Sequence, residues 1–127
     1  MSEPVSQRRE FSRVAVHLHT EVDAAGQFHR EGSMESLSLK GGFFRAANPP
    51  AENTEVRVRL HLEGTEIEVH ALGHVVRHGP GGCAIQFDEI VGLDSLDHLR
   101  NLVRFNAADP EQVEREFHEH LGLRRDA

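Results

Sequence analysis

The chain has 127 residues, 38% of them hydrophobic, and a formal net charge of −7 at pH 7. That length supports one domain with a real core and is too short for two, and no apolar run approaches the length of a bilayer span. The acid excess argues against a protein that grips long nucleic acid by neutralising phosphates, but a local cationic cluster can still set the field for a small anion.

The first residues, Met1-Ser2-Glu3-Pro4-Val5, lack the apolar core of a secretory signal, so a cytoplasmic location is expected. Cys83 is the sole cysteine, which excludes an internal disulfide and a thiolate-cluster zinc site. Trp and Tyr are absent, which removes the usual stacking platforms for single-stranded nucleic acid, although seven Phe can substitute in part.

Residues 1–8 are polar, contain Pro4 and show no periodicity, and they read as a mobile tail. From Val14 the pattern has period two, with Val14, Val16 and Leu18 on one face and Ala15, His17 and His19 on the other, as in a half-buried strand. Ala24-Ala25-Gly26-Gln27 is a turn, and a second extended stretch runs from Phe28 to Ser38. Gly41-Gly42 reads as an interruption before a short strand at Phe43-Phe44-Arg45-Ala46, and Asn48-Pro49-Pro50 is a loop.

Val56, Val58, Leu60 and Leu62 then alternate with Glu55, Arg57, Arg59 and His61 over a strand from Thr54 to Leu62. Glu63-Gly64 reads as a hairpin turn, followed by a strand from Thr65 to Arg77 with Ile67, Val69 and Ala71 inward. After Gly79-Pro80-Gly81-Gly82, a closing strand covers Cys83 to Phe87. Short strands separated by Gly/Pro turns at near-regular spacing predict an antiparallel barrel or sandwich.

Beyond Gly92 the spacing becomes helical. Asp94 is the expected cap of a helix carrying Leu96, Leu99, Leu102 and Val103, with Asn106 at its end. Asp109-Pro110-Glu111 is a second helix start, and Val113, Phe117 and Leu121 form a stripe ended by Gly122.

Two motifs carry chemistry. Arg8-Arg9-Glu10-Phe11-Ser12-Arg13 concentrates three arginines within six positions ahead of the first strand. A guanidinium pairs with phosphate oxygens through its fork of donors and stacks through its flat face, so a ligand with phosphates and purines would use both properties. The second motif, Ser36-Leu37-Ser38-Leu39-Lys40-Gly41-Gly42, offers small hydroxyls and glycines that permit close approach.

At these residues the chain resembles the PilZ family, small bacterial barrels that bind the second messenger cyclic di-GMP. The family's Arg-x-x-x-Arg motif matches Arg9 and Arg13, with Arg8 preceding, and its Asp/Asn-x-Ser-x-x-Gly motif matches Ser36, Ser38 and Gly41. Gly82 to Phe87 is similar to the family's last barrel strand, and the likeness spans roughly residues 8 to 90. It implies a mainly β fold: a six-stranded antiparallel split barrel over residues 9–92, with one or two helices in residues 93–127 packed on it. It also implies a receptor without enzymatic activity, whose ligand is cyclic di-GMP and whose ligand-binding residues are Arg8, Arg9, Arg13, Ser36, Ser38 and Gly41. The tail would fold over the barrel, order on the ligand and signal to a protein partner, from a monomer or weak dimer without membrane insertion. Ser36 departs from the family pattern, which has Asp or Asn there, and the family's occasional late-strand Trp is absent, with Val75, Val76 and Arg77 near that place. Loss of one charge-assisted hydrogen bond costs about 1.5–3 kcal/mol, so a module with weakened or lost ligand binding, acting in pilus or flagellar control, is the alternative.

Other chemistries lack a pattern. His17 and His19 share a strand face, and His61, His70, His74 and His78 lie on later strands, but no carboxylate or thiolate is fixed beside them by spacing, so no metal site is expected. His118 and His120 fall on different sides of a helix. Cys83 lies in a strand and reads as a small core residue, and no serine stands in a nucleophile elbow.

Overall fold

The computed structural model describes residues 11–122, and side chains through Glu119. Six strands, β1 (Val14–Ala24), β2 (Gln27–Ser38), β3 (Gly41–Arg45), β4 (Glu55–His61), β5 (Glu68–Gly79) and β6 (Gly82–Ile90), are followed by helices α1 (Leu93–Asn106) and α2 (Pro110–Glu116). A π-helical segment, Phe117–Gly122, continues α2. The strands close into a barrel in the order β1-β2-β3-β6-β5-β4, every neighbour antiparallel.

The period-two pattern gives the interior. Val14, Leu18 and Val22 of β1, Val56, Val58 and Leu60 of β4, and Val69, Ala71 and Val75 of β5 are buried together with Met34, Leu37, Phe44, Ile85 and Phe87. Closure removes the unpaired edges that an open sheet of this size would expose. Leu99 and Val103 of α1, Val113 of α2 and Phe117 join the same cluster, so the helices extend the core. The Ser95 hydroxyl accepts the His70 N–H at 2.9 Å and fastens α1 to β5.

The β1–β2 hairpin turns on Ala25 and Gly26, both at positive φ (56° and 91°), which suits the right-handed twist of the flanking strands. Gly82 pairs with Gly79 across the two-residue turn Pro80-Gly81, as the Gly/Pro cluster predicts.

Four local expectations are corrected. Gly41 and Gly42 do not interrupt a strand; the turn falls on Leu39-Lys40, and both glycines pair with β2 and β6. A Cβ on Gly41 would collide with the Ile85 carbonyl and one on Gly42 with the Ser36 carbonyl, so close packing of backbones selects them. Asp94 is not the cap of α1: Gly92 holds that position at φ 92°, its carbonyl accepting the Leu96 N–H at 3.2 Å, and Asp94 lies in the first turn. Thr65 and Ile67 belong to a turn rather than to β5, because the Thr65 hydroxyl donates to the Leu62 carbonyl at 2.8 Å and accepts the Ile67 N–H at 3.0 Å. The closing strand runs beyond Phe87 to Ile90. Asp109 caps α2 as expected, its carboxylate accepting the Gln112 N–H at 3.2 Å ahead of Pro110. The expected apolar position at Leu121 lies outside the described side chains.

Candidate ligand-binding site

Ser38 ends β2 and shapes the turn to β3. Its buried hydroxyl accepts the Lys40 N–H at 3.1 Å and donates to the Gly41 carbonyl at 3.3 Å. A serine hydroxyl has one proton and two lone pairs, so one acceptor site remains for a ligand. This turn forms one wall of a groove of about 340 Å³ lined by Arg13, Ser38, Lys40, Gly41, Arg77 and Gln86 with the apolar Phe11, Val76, Ala84 and Ile85. Gly41 leaves the floor open between Ser38 and Gln86, its register partners on the two sides.

The groove brings together Arg13, Ser38 and Gly41 of the expected set. Ser36 is not among its lining residues. It lies in the adjoining cross-strand row, Ala15–Ser36–Phe43–Ala84–Arg77, about 7 Å from Ser38 along the outward face. Arg8 and Arg9 lie outside the described residues.

Lys40, Arg77 and Gln86 were not among the expected ligand-binding residues. For Arg77 the reason is a β-bulge. Strict alternation from Val69, Ala71 and Val75 would turn Arg77 inward, but Val75 pairs with Ile85 and Arg77 with Ala84, leaving Val76 as an extra residue. The bulge resets the alternation, so Val76 and Arg77 are both exposed and both reach the groove.

Charge separates this groove from the other surface depressions. Among the described residues lining it are three cations and no acid. A depression of about 380 Å³ on another part of the barrel mixes Glu21 and Asp23 with Arg30, Arg57 and Arg59, and one of about 580 Å³ is dominated by Asp23, Glu55, Asp88 and Glu89. On a chain of net charge −7, the positive groove is the place where an anion is least opposed.

The base of the arginine motif is fixed from the far end of the chain. Glu116, buried in α2, accepts the Ser12 N–H at 2.9 Å and the Ser12 hydroxyl at 2.8 Å, and Gln112 donates to the same carboxylate at 3.2 Å. Arg13, next along the chain, is thereby held at the groove's edge. Cys83 is fully buried, and burial raises its thiol pKa from 9.0 to about 11, so it has the character of a core residue.

The fold is a closed antiparallel barrel, and its groove is cationic and partly apolar, a lining chemically suited to a small anion. The family model of the PilZ domain matches residues 7–105. The chain belongs to the PilZ domain family, whose members are binding and adaptor modules. Solved structures with the same fold include the Bacillus subtilis inhibitor of motility, MotI/DgrA, at 16% identity and a TM-score of 0.61, covering 78% of this chain and 51% of that one. Another is the PilZ domain of CeSA from a cellulose-synthesizing bacterium, at 24% identity and a TM-score of 0.52, covering 72% of this chain and 94% of that one. The chain thus spans about half the length of MotI/DgrA. No curated protein matches the sequence. No helix among the described residues is long and apolar enough to cross a membrane.

Proposed function

We propose that the chain is a cyclic di-GMP receptor that works as an adaptor, passing the level of the messenger to a protein partner. The observation that carries this reading is the groove in which Arg13, Lys40 and Arg77 surround the Ser38–Gly41 turn with no acid among the described lining residues. The ligand's two phosphates meet guanidinium and ammonium donors, and its guanines find Phe11, Val76 and the flat faces of the arginines. Arg8 and Arg9 precede Arg13 by five and four positions and complete the clamp from the tail. Nothing in this mechanism breaks a bond, so it needs no general acid or base.

Ordering of the tail on the ligand is the signal. Its base at Ser12 is bonded to Glu116, so a change in the tail is felt at α2 as well as at the groove. Isothermal titration of the full chain with cyclic di-GMP tests the receptor reading, and saturable heat is expected. The Arg9→Ala, Arg13→Ala double variant tests the clamp. Binding equal to wild type in that variant would remove the mechanism.

A second reading, a PilZ module acting by protein contact with weakened or lost ligand binding, is favoured by the position of Ser36 beside the groove rather than in it. The Ser36→Asp variant separates the two: tighter cyclic di-GMP binding supports a weakened receptor, and the absence of binding in both forms supports the contact module.

A further inference from the structure

The seam that closes the barrel, where β1 pairs with β4, carries a side-chain cluster unrelated to the groove. His19 lies directly opposite His61 in the register, and Glu21 lies two residues along β1 on the same outward face. Glu21 Oε2 is 3.9 Å from His19 Nε2, and Glu21 Oε1 is 3.9 Å from His61 Nε2. All three ligand-type atoms fall within 4.8 Å of one another.

His61 is the informative member. Its Nδ1 lies 3.0 Å from Glu68 Oε2, and an ionised carboxylate can only accept, so in the neutral imidazole the proton sits on Nδ1. That leaves the lone pair on Nε2, an atom that is buried and has no hydrogen-bond partner. A buried acceptor without a partner is costly, and this one points toward Glu21 and His19. A carboxylate behind a histidine whose other nitrogen is free is the outer-shell arrangement that orients metal-ligating imidazoles. His70 Nε2, 2.9 Å from Glu68 Oε1, engages the other oxygen of that carboxylate and fixes its orientation behind His61.

We propose that His19, Glu21 and His61 bind a divalent first-row transition ion, with zinc as the best-suited member, and that Glu68 positions His61 from behind. Two imidazoles and one carboxylate make a borderline donor set that suits zinc and leaves a fourth position for water. Metal–ligand bonds of about 2.0–2.1 Å require ligand atoms about 3.3 Å apart in a tetrahedron, so small rotations from 3.9 Å assemble the site. Arg59 Nη1, 3.6 Å from Glu21 Oε1, is the resident cation, and its half-exposed side chain can swing away when the ion enters. Glu21 also lines the open depression of about 380 Å³, which supplies the entry path. The ion would clip β1 to β4 and reinforce barrel closure, independently of cyclic di-GMP.

The test is titration of the chelator-stripped full chain with Co²⁺, followed by visible absorption, and with Zn²⁺ by calorimetry. One ion per chain with an intense tetrahedral-type cobalt band is expected. His19→Ala, at an exposed position, should lose at least about tenfold in affinity, and Glu68→Gln about 10–100-fold. His17→Ala and His74→Ala, which remove histidines paired with Glu35 and Asp88 elsewhere on the barrel, should bind as wild type. Zinc should also raise the melting temperature of wild type more than that of His19→Ala. Absence of saturable binding, or equal affinity in His19→Ala and wild type, would overturn the assignment.

Discussion

Replacing Glu116 by alanine tests whether the start of the barrel is clamped by the end of the chain. The wild-type carboxylate is buried and accepts two bonds from Ser12, at 2.9 and 2.8 Å, from a residue 104 positions away. A hydrogen bond to a charged acceptor contributes about 1.5–3 kcal/mol, but burial of the carboxylate offsets part of that, and Ser12 is only half-buried, so water can replace the lost acceptor. The expected net loss is therefore about 2 kcal/mol. With about 2.1 cal/mol/K of unfolding entropy per residue, a domain of this size loses roughly 7 °C in melting temperature. Glu116→Gln should recover less than half, because the amide NH2 would face either the Ser12 N–H or the Gln112 amide donor, depending on its orientation. Ser12→Ala removes only the hydroxyl bond and should cost about half as much. Urea unfolding of the two single variants and the double variant gives the coupling directly. Stability of Glu116→Ala within about 0.5 kcal/mol of wild type, or a coupling near zero, would refute the clamp.

Three further outcomes follow from the packing. Gly41→Ala forces a Cβ onto the Ile85 carbonyl and should destabilise by about 1–3 kcal/mol, read from the denaturant midpoint with unchanged slope. Asp109→Ala removes the cap of α2 and should cost about 1 kcal/mol, whereas Asp94→Ala should cost much less because Gly92 holds the cap position of α1. Cys83 should resist thiol reagents in the folded protein. Because its folded pKa, about 11, lies above the ordinary 9.0, the unfolded chain loses that proton first, so this residue's contribution to stability should be intact below about pH 9 and fall as pH rises toward 11. An unfolding series between pH 8 and pH 11, compared with Cys83→Ala, measures it.

The barrel was legible because its interior obeys a local rule. Val56, Val58 and Leu60 alternate with charged residues over a single run, and no distant information is needed to assign their face. The groove was only half legible. Arg13, Ser38 and Gly41 sit in motifs contiguous in sequence, but Arg77 reaches the groove because β6 lies between β3 and β5 and because Val76 bulges, two facts of strand order and register. Gly41 and Gly42 looked like a break on propensity alone, and only the approach of neighbouring backbones explains them as strand residues. Glu116 carried no signal, since a glutamate within a helix is ordinarily a solvated side chain. The same holds for Glu21 and Glu68, which stand beside His61 through cross-strand pairing and not through spacing.

The central claim is that the cationic groove around the Ser38–Gly41 turn binds cyclic di-GMP through residues that different strands bring together. Its most direct test is calorimetric titration of wild type and of Arg77→Ala, a surface change at a position that only the bulge turns toward the groove. Saturable binding by wild type, weakened about ten- to hundredfold in Arg77→Ala at unchanged melting temperature, is the predicted result. Equal affinity in the two proteins, or no heat from wild type, would contradict it.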